Sequence, residues 1–214
     1  MSSLSNKWLE MVHKFHFHFD HPIAPAEGRI LSEPRRVARF SWLMEELIEF
    51  MKAEADVVDQ VDAILDFLYF CFGNLVEIGL DDASFLDVEL VGIEGPPTEL
   101  DYSYRVSFAS RASSSLFQFL RSDTKSGQCD FTVDAARTMM RCLRVMKVDP
   151  SGLMEVVQQS NMGKLWPDGK PKFADDGKVV KPPTWEAPEK ELGRILNGRT
   201  RDWLEAHKDD EIPF

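Results

Sequence analysis

Between Phe40 and Gly73 the sequence FSWLMEELIEFMKAEADVVDQVDAILDFLYFCFG sets five carboxylates, Glu45, Glu46, Glu49, Asp62 and Asp66, into two otherwise apolar helical segments. Glu45 and Glu49 stand four residues apart and Glu46 and Glu49 three, so on a helix they share a side. Asp62 and Asp66 repeat the four-residue step, and Asp66 is hemmed in by Ile64, Leu65, Phe67, Leu68, Tyr69 and Phe70. Whichever way that helix turns, the Asp66 carboxylate lies close to buried surface. Such a group costs on the order of several kcal/mol unless it is paired, protonated or bound to a cation. No arginine, lysine or N-cap partner is near it in the sequence. Two helices facing each other with these side chains make an all-oxygen cage for a hard divalent cation. EELIE alone would fit an exposed acidic face; Asp66 is what gives the set its weight.

The elements that must position these groups follow from periodicity. Leu4 to Phe19 puts Trp8, Met11, Val12, Phe15 and Phe19 at helical spacing, with Ser5 as N-cap and a stop at Asp20-His21-Pro22. Its histidines, His13, His16, His18 and His21, are interleaved with aromatics, which points to packing and substrate contact rather than a transition-metal site. Pro22 to Pro34 carries three prolines and a glycine and reads as an extended connection. The next helix opens on Arg35, Arg36 and Arg39, placed to meet a phosphate or to end in solvent, and buries Val37, Phe40, Leu43, Met44, Leu47 and Met51. Its successor carries Asp56, Asp59, Asp62 and Asp66, is apolar nearly all round towards its end near Gly79, and should be central.

Residues 81–131 read as an irregular insertion: DVELVGIEGPPTELDYSYRVSFAS mixes short β-like runs with a Gly-Pro-Pro turn, Ser113 to Leu120 is a short helix, and SDTKSGQCD is a loop. Val133 to Met146 is an amphipathic helix, and Gly152 to Gln159 another after Pro150. A Gly-, Pro-, Lys- and Asp-rich tail follows, with tight turns presenting lysines, and Lys190 to His207 is a peripheral helix. The expectation is therefore a single all-α domain over residues 1–214, with a core of about 4–80 and 131–188.

The 214 residues, 43% hydrophobic, are ample for one core, and a net charge of -11 argues against a nucleic-acid polymer or an anionic membrane as partner. Three irregularly spaced cysteines suit neither a disulfide framework nor zinc, and no leader or membrane span is visible, so a cytoplasmic protein is expected.

With EELIE, DAILDFLYFCFG and SNMGKLWPDGKPKFADDGKVVKPPTW together, the chain resembles the all-α NTP pyrophosphohydrolase superfamily, which contains MazG proteins, dimeric dUTPases and phosphoribosyl-ATP pyrophosphatases. The likeness is to the phage and bacterial MazG-like branch, with Phe15-His16 and the SNM-x-K and DGK tail, over about Val12 to Gly79 and Val148 to Pro188. It implies an antiparallel helix bundle that hydrolyses a (d)NTP between the α and β phosphates to (d)NMP and pyrophosphate, in nucleotide-pool sanitation or control. Mg2+ is the implied cofactor, with Mn2+ able to substitute, and a homodimer or homotetramer the implied assembly. Matched onto the motif, Glu45, Glu46, Glu49, Asp62 and Asp66 are the implied metal ligands, with Glu46 or Glu49 as base. His16, Asn161, Lys164, Asp168, Lys170 and Lys178 are the implied substrate contacts. The family's second motif is ExxD, and Ala63 stands where its glutamate would be, which leaves Asp62 as its replacement. A catalytically silent helical binding or assembly module that keeps the fold is the alternative reading.

Overall fold

A computed structural model describes residues 3–175 and 177–208. They form seven α-helices and one short 3₁₀ helix, with no β-strand among the described residues beyond a single bridge between Phe173 and Val179. The all-α expectation holds.

The first helix, α1 (Leu4–His18), is capped by Ser3, whose hydroxyl accepts from the Asn6 N–H, and not by Ser5. Ser5 is buried, and its backbone N–H and that of Leu4 donate to Asp87 at 2.8 and 2.9 Å. A carboxylate from a distant 3₁₀ helix (Ser84–Leu90) thus takes the remaining N-terminal donors.

Helix α2 (Glu33–Lys52) starts at a proline, where a missing N–H costs nothing. Its arginines are not a simply solvated helix end: they are engaged within the fold. Arg36 donates to the carbonyls of Leu31 and Leu120 and pairs with exposed Asp123, tying the start of α2 to the chain beyond residue 120. Helix α3 (Val57–Ile78) is capped by Asp56, which accepts from the N–H groups of Val58 and Asp59. It ends at Gly79, whose left-handed φ of 90° closes the helix; a Cβ there would also stand 2.9 Å from Ala24 and Gly28. Nearly every residue from Gln60 to Ile78 is buried, because α3 packs against α1, α2, α5, α6 and α7. At about 1.5–3 kcal/mol for each large apolar side chain buried, this central helix is the main source of core stability.

The stretch expected to be an irregular insertion with β-like runs is irregular only in part, around the Gly-Pro-Pro turn over 91–101, and is otherwise mostly helical. Helix α4 (Tyr102–Arg121) is capped by Asp101, and α5 (Lys125–Val145) begins at Thr124, well before the expected start at Val133. The two form a hairpin whose buried faces pack on α2 and α3. Two further helices follow, the short α6 (Leu153–Met162) and the longer α7 (Glu189–Ala206). The latter is less peripheral than its composition suggested, since Leu192 and Leu196 are buried and α7 packs on α3 and α6.

Candidate active site

The EELIE turn of α2 and the aspartate-bearing middle of α3 face a cavity of about 260 Å3, closed on its other side by α6 and the loop that follows. Glu45, Glu46, Glu49 and Asp66 all line it, as do His16, Asn161, Lys164 and Lys178. Asp62 lines instead a smaller space of about 120 Å3 that shares Glu49, Asp66, Asn161, Lys164 and Lys181 with the first. Sequence reasoning thus placed the five acids on one region, split across the two sides of the Glu49 and Asp66 side chains.

Their electrostatics are those of a site short of positive charge. Glu46 is 8% exposed, and burial together with Asp66 and Glu49 pushes its carboxyl up to about 8, against an opposing pull from Lys178. Burial and then Asp66 and Glu189 push Asp62 up to about 8 as well. Asp66 is raised by burial, Glu49 and Glu189, while Lys164 and Lys181 pull it down. Lys164, itself lowered by burial, donates to Asn161 Oδ1 at 2.5 Å, and Lys178 donates to Glu45. Asp62 Oδ1 is buried with no hydrogen-bond partner. Crowded, partly buried carboxylate oxygens, one of them orphaned, fit a hard divalent cation such as Mg2+. Among the described residues no three of these groups already stand close enough together to hold one ion.

A folded-state carboxyl held above its unfolded value contributes stability that is fully present below the unfolded pKa and is lost as pH rises through the folded one. For Glu46 and Asp62, with ordinary values of 4.5 and 3.8, that loss extends to about 8. Burial holds His16 and His21 down at about 3 and 4, so both are neutral in folded and unfolded chains above their ordinary 6.5. Between roughly pH 6.5 and 8 the melting temperature in chelator should therefore fall, less steeply in Glu46→Gln or Asp62→Asn, and added Mg2+ should restore it. A flat metal-free profile shared by wild type and variants would contradict this electrostatic picture.

The opposite end of the cavity is aromatic and basic. His16 Nδ1 lies 2.8 Å from the Pro22 carbonyl oxygen, which can only accept, so Nδ1 carries the proton. With burial and Arg39 keeping the ring neutral, Nε2 presents a lone pair. Trp42, beneath the guanidinium groups of Arg35 and Arg39 at 5.2 and 5.5 Å, gives an adjacent aromatic wall with Phe70. Gly73 keeps this end open: a Cβ there would strike Arg39 and stand 3.1 Å from His16 Nε2.

Two expected substrate contacts are not brought to either cavity. Asp168 and Lys170 sit in an exposed turn in which the Asp168 carboxylate accepts from the Lys170 N–H at 3.0 Å, a local use of an Asp-Gly pair with Gly169 at φ 73°. Besides Lys164, Lys181 lines both cavities, three residues after Lys178 in the same tail, and the K-x-x-K spacing was its signal. Arg39, His21 and Tyr69 also line the larger cavity; the basic start of α2 and the histidine cluster hinted at the first two, and only Tyr69 carried no sign in its sequence context.

The model of the phosphoribosyl-ATP pyrophosphohydrolase family matches residues 12–88, which run from the second half of α1 through α2 and α3 and so include all five acids. No curated protein sequence matches. A solved structure from Exiguobacterium sp. 255-15, named as an inferred NTP pyrophosphohydrolase, shares 26% identity at a TM-score of 0.53, covering 91% of this chain and 96% of its own. The family match covers the acid-bearing helices that frame the cavity, the structural likeness runs over most of the chain, and both make this chain similar to the all-α NTP pyrophosphohydrolases.

Proposed function

We propose that the protein is a Mg2+-dependent pyrophosphohydrolase that cleaves a (d)NTP between the α and β phosphates, releasing (d)NMP and pyrophosphate. The observation that carries this reading is that one cavity joins the α2 and α3 carboxylates to the lysines of the tail and to an aromatic end. A triphosphate needs all three: oxygens to hold its cation, ammonium groups for its non-bridging oxygens, and a face for its base.

Glu45, Glu46, Glu49, Asp62 and Asp66 would hold Mg2+, or Mn2+ in its place. When bound, the cation neutralises phosphate charge and lowers the pKa of attacking water. Glu46 and Glu49 are the groups placed to take that water's proton. Glu46, raised to about 8, is the stronger base once ionised, and Glu49 is the more exposed. Lys164, Lys178 and Lys181 meet the triphosphate, so substrate binding separates Lys178 from Glu45. Asn161, held by Lys164, faces the sugar, and the base lies between Trp42 and the Phe15 and His16 side.

Because His16 Nε2 accepts, a base offering an exocyclic amino group is favoured over one offering a carbonyl at that point. Incubation with Mg2+ and a panel of canonical and modified nucleotides should release pyrophosphate. Amino bases should lead their keto counterparts, by a margin that shrinks in His16→Leu. Absence of turnover on every nucleotide, with no effect of Mg2+ on melting, would leave a silent binding module instead.

A further inference from the structure

Where the ExxD glutamate would stand, α3 carries Ala63, 5% exposed within the core, and Asp62, its expected replacement, is the shorter carboxylate one position earlier. The smaller cavity beside Asp62 is, however, bounded by a carboxylate from elsewhere. Glu189, the first residue of α7, lines it together with Glu49, Asp62 and Asp66. Its negative charge bears on Asp59, Asp62 and Asp66 alike. A glutamate at a helix N-terminus is favourable for the helix dipole, which accounts for its place on α7. The dipole does not account for its facing two aspartates across a confined space in which Asp62 Oδ1 is buried without a partner. Lys164 and Lys181 line the same space and supply the compensating charge in the metal-free protein.

We propose that Glu189 takes the place of the absent motif glutamate, completing with Asp62 the divalent-cation site on the side of α3 away from the aromatic end. This rests on the reading of the site as that of a Mg2+-dependent pyrophosphohydrolase. It also gives α7 a role in the chemistry, although α7 lies outside the matched residues 12–88. The Trp185 and Pro188 side chains that line the space with Glu189 then serve to hold the start of α7 against the site.

The test is Mn2+ binding to the full chain, followed by electron paramagnetic resonance and calorimetry, for wild type, Glu189→Gln, Glu189→Asp and the exposed control Glu186→Gln. The expected result is a Kd for at least one Mn2+ weakened about tenfold in Glu189→Gln, largely kept in Glu189→Asp and unchanged in Glu186→Gln. Without metal, Glu189→Gln should melt no lower than wild type, because repulsion with Asp62 and Asp66 is relieved. Wild-type Mn2+ affinity and stoichiometry in folded Glu189→Gln would overturn the assignment, even where nucleotide hydrolysis is intact. Conversely, a wild type that binds Mn2+ and loses that affinity on Glu189→Gln, yet hydrolyses no nucleotide, would refute the proposed reaction and leave the metal site standing.

Discussion

Replacing Glu49 by Gln is expected to lower pyrophosphate release by about a thousandfold while leaving the fold intact. Glu49 is exposed, lines both cavities, and sits between the groups whose repulsion raises Glu46, Asp62 and Asp66. It therefore adds charge to the site without adding much to the core. Losing one charged oxygen ligand or base removes several kcal/mol of transition-state stabilisation, and each 1.36 kcal/mol is a factor of about ten in rate. The amide keeps the volume and takes away the charge, so the metal-free variant should melt at or slightly above the wild-type temperature. Asp66→Asn should behave in the same way in activity, with a smaller stability gain because Lys164 and Lys181 lose their counter-charge. The two readouts together are diagnostic: an inactive variant that melts lower has failed structurally, whereas an inactive variant of equal or greater stability has lost chemistry. Turnover within tenfold of wild type in both variants would remove these acids from the reaction.

How far the sequence could be read differs by the kind of information each residue carries. Asp66 was legible because a charged residue in an apolar run is costly wherever the helix turns, and the α2 glutamates, exposed at Glu45 and Glu49, gained their weight from it and from the motif spacing. Glu189 was not, since it opens an ordinary polar helix and its relation to Asp62 exists only once α7 packs on α3. The tail divides similarly. Its lysines were read as one set, but Lys164, Lys178 and Lys181 reach the site while Lys170 turns away, a choice made by the Asp168 turn rather than by composition.

The fold shows the same division. All the helices of the acid-bearing half were placed by apolar spacing, and Gly79 ended α3 where a left-handed residue was needed. The misreading fell on Tyr102 to Ser110, read as part of a β-like run, whereas the short helix expected over Ser113 to Leu120 is the later part of α4. Buried Arg105, Ala109, Ala112, Leu116 and Phe119 recur along α4 at alternating steps of four and three, a helical period masked by small and polar members of the buried face. Arg35 and Arg39 were likewise read as a helix end meeting a phosphate or ending in solvent, with no internal partner in view, because that partner, Glu77, lies some forty residues on in a different helix.

That partnership makes Glu77→Gln the substitution with the largest expected effect on stability. Glu77 is fully buried and accepts from Arg35 through both oxygens at 2.8 and 2.6 Å, with the Arg39 guanidinium 3.7 Å away. Burial alone would raise its carboxyl, but the Arg35 hydrogen bonds and the Arg39 charge outweigh burial and hold it below the usual range. Burial brings Arg39 down to about 10, so it stays charged at neutral pH. Neutralising Glu77 leaves that charge with only the neutral acceptors Asn74 and the Phe70 carbonyl. Breaking a buried pair from one side costs about 3–5 kcal/mol. At roughly 2–4 °C per kcal/mol for a chain of this length, melting should fall by roughly 10 °C. A depressed carboxyl contributes stability that is present above its unfolded pKa and lost as pH falls through the folded value, so the variant should also lack part of the wild-type acid loss. Arg39 lies against Trp42 and bounds the aromatic end of the cavity, so activity should decline through substrate affinity as well as through folding. Adding Arg39→Met to the variant should recover part of the lost stability, since it removes the stranded charge. Melting of Glu77→Gln within about 2 °C of wild type would mean that the pair is compensated by solvent, and that the aromatic end of the cavity is held by packing alone.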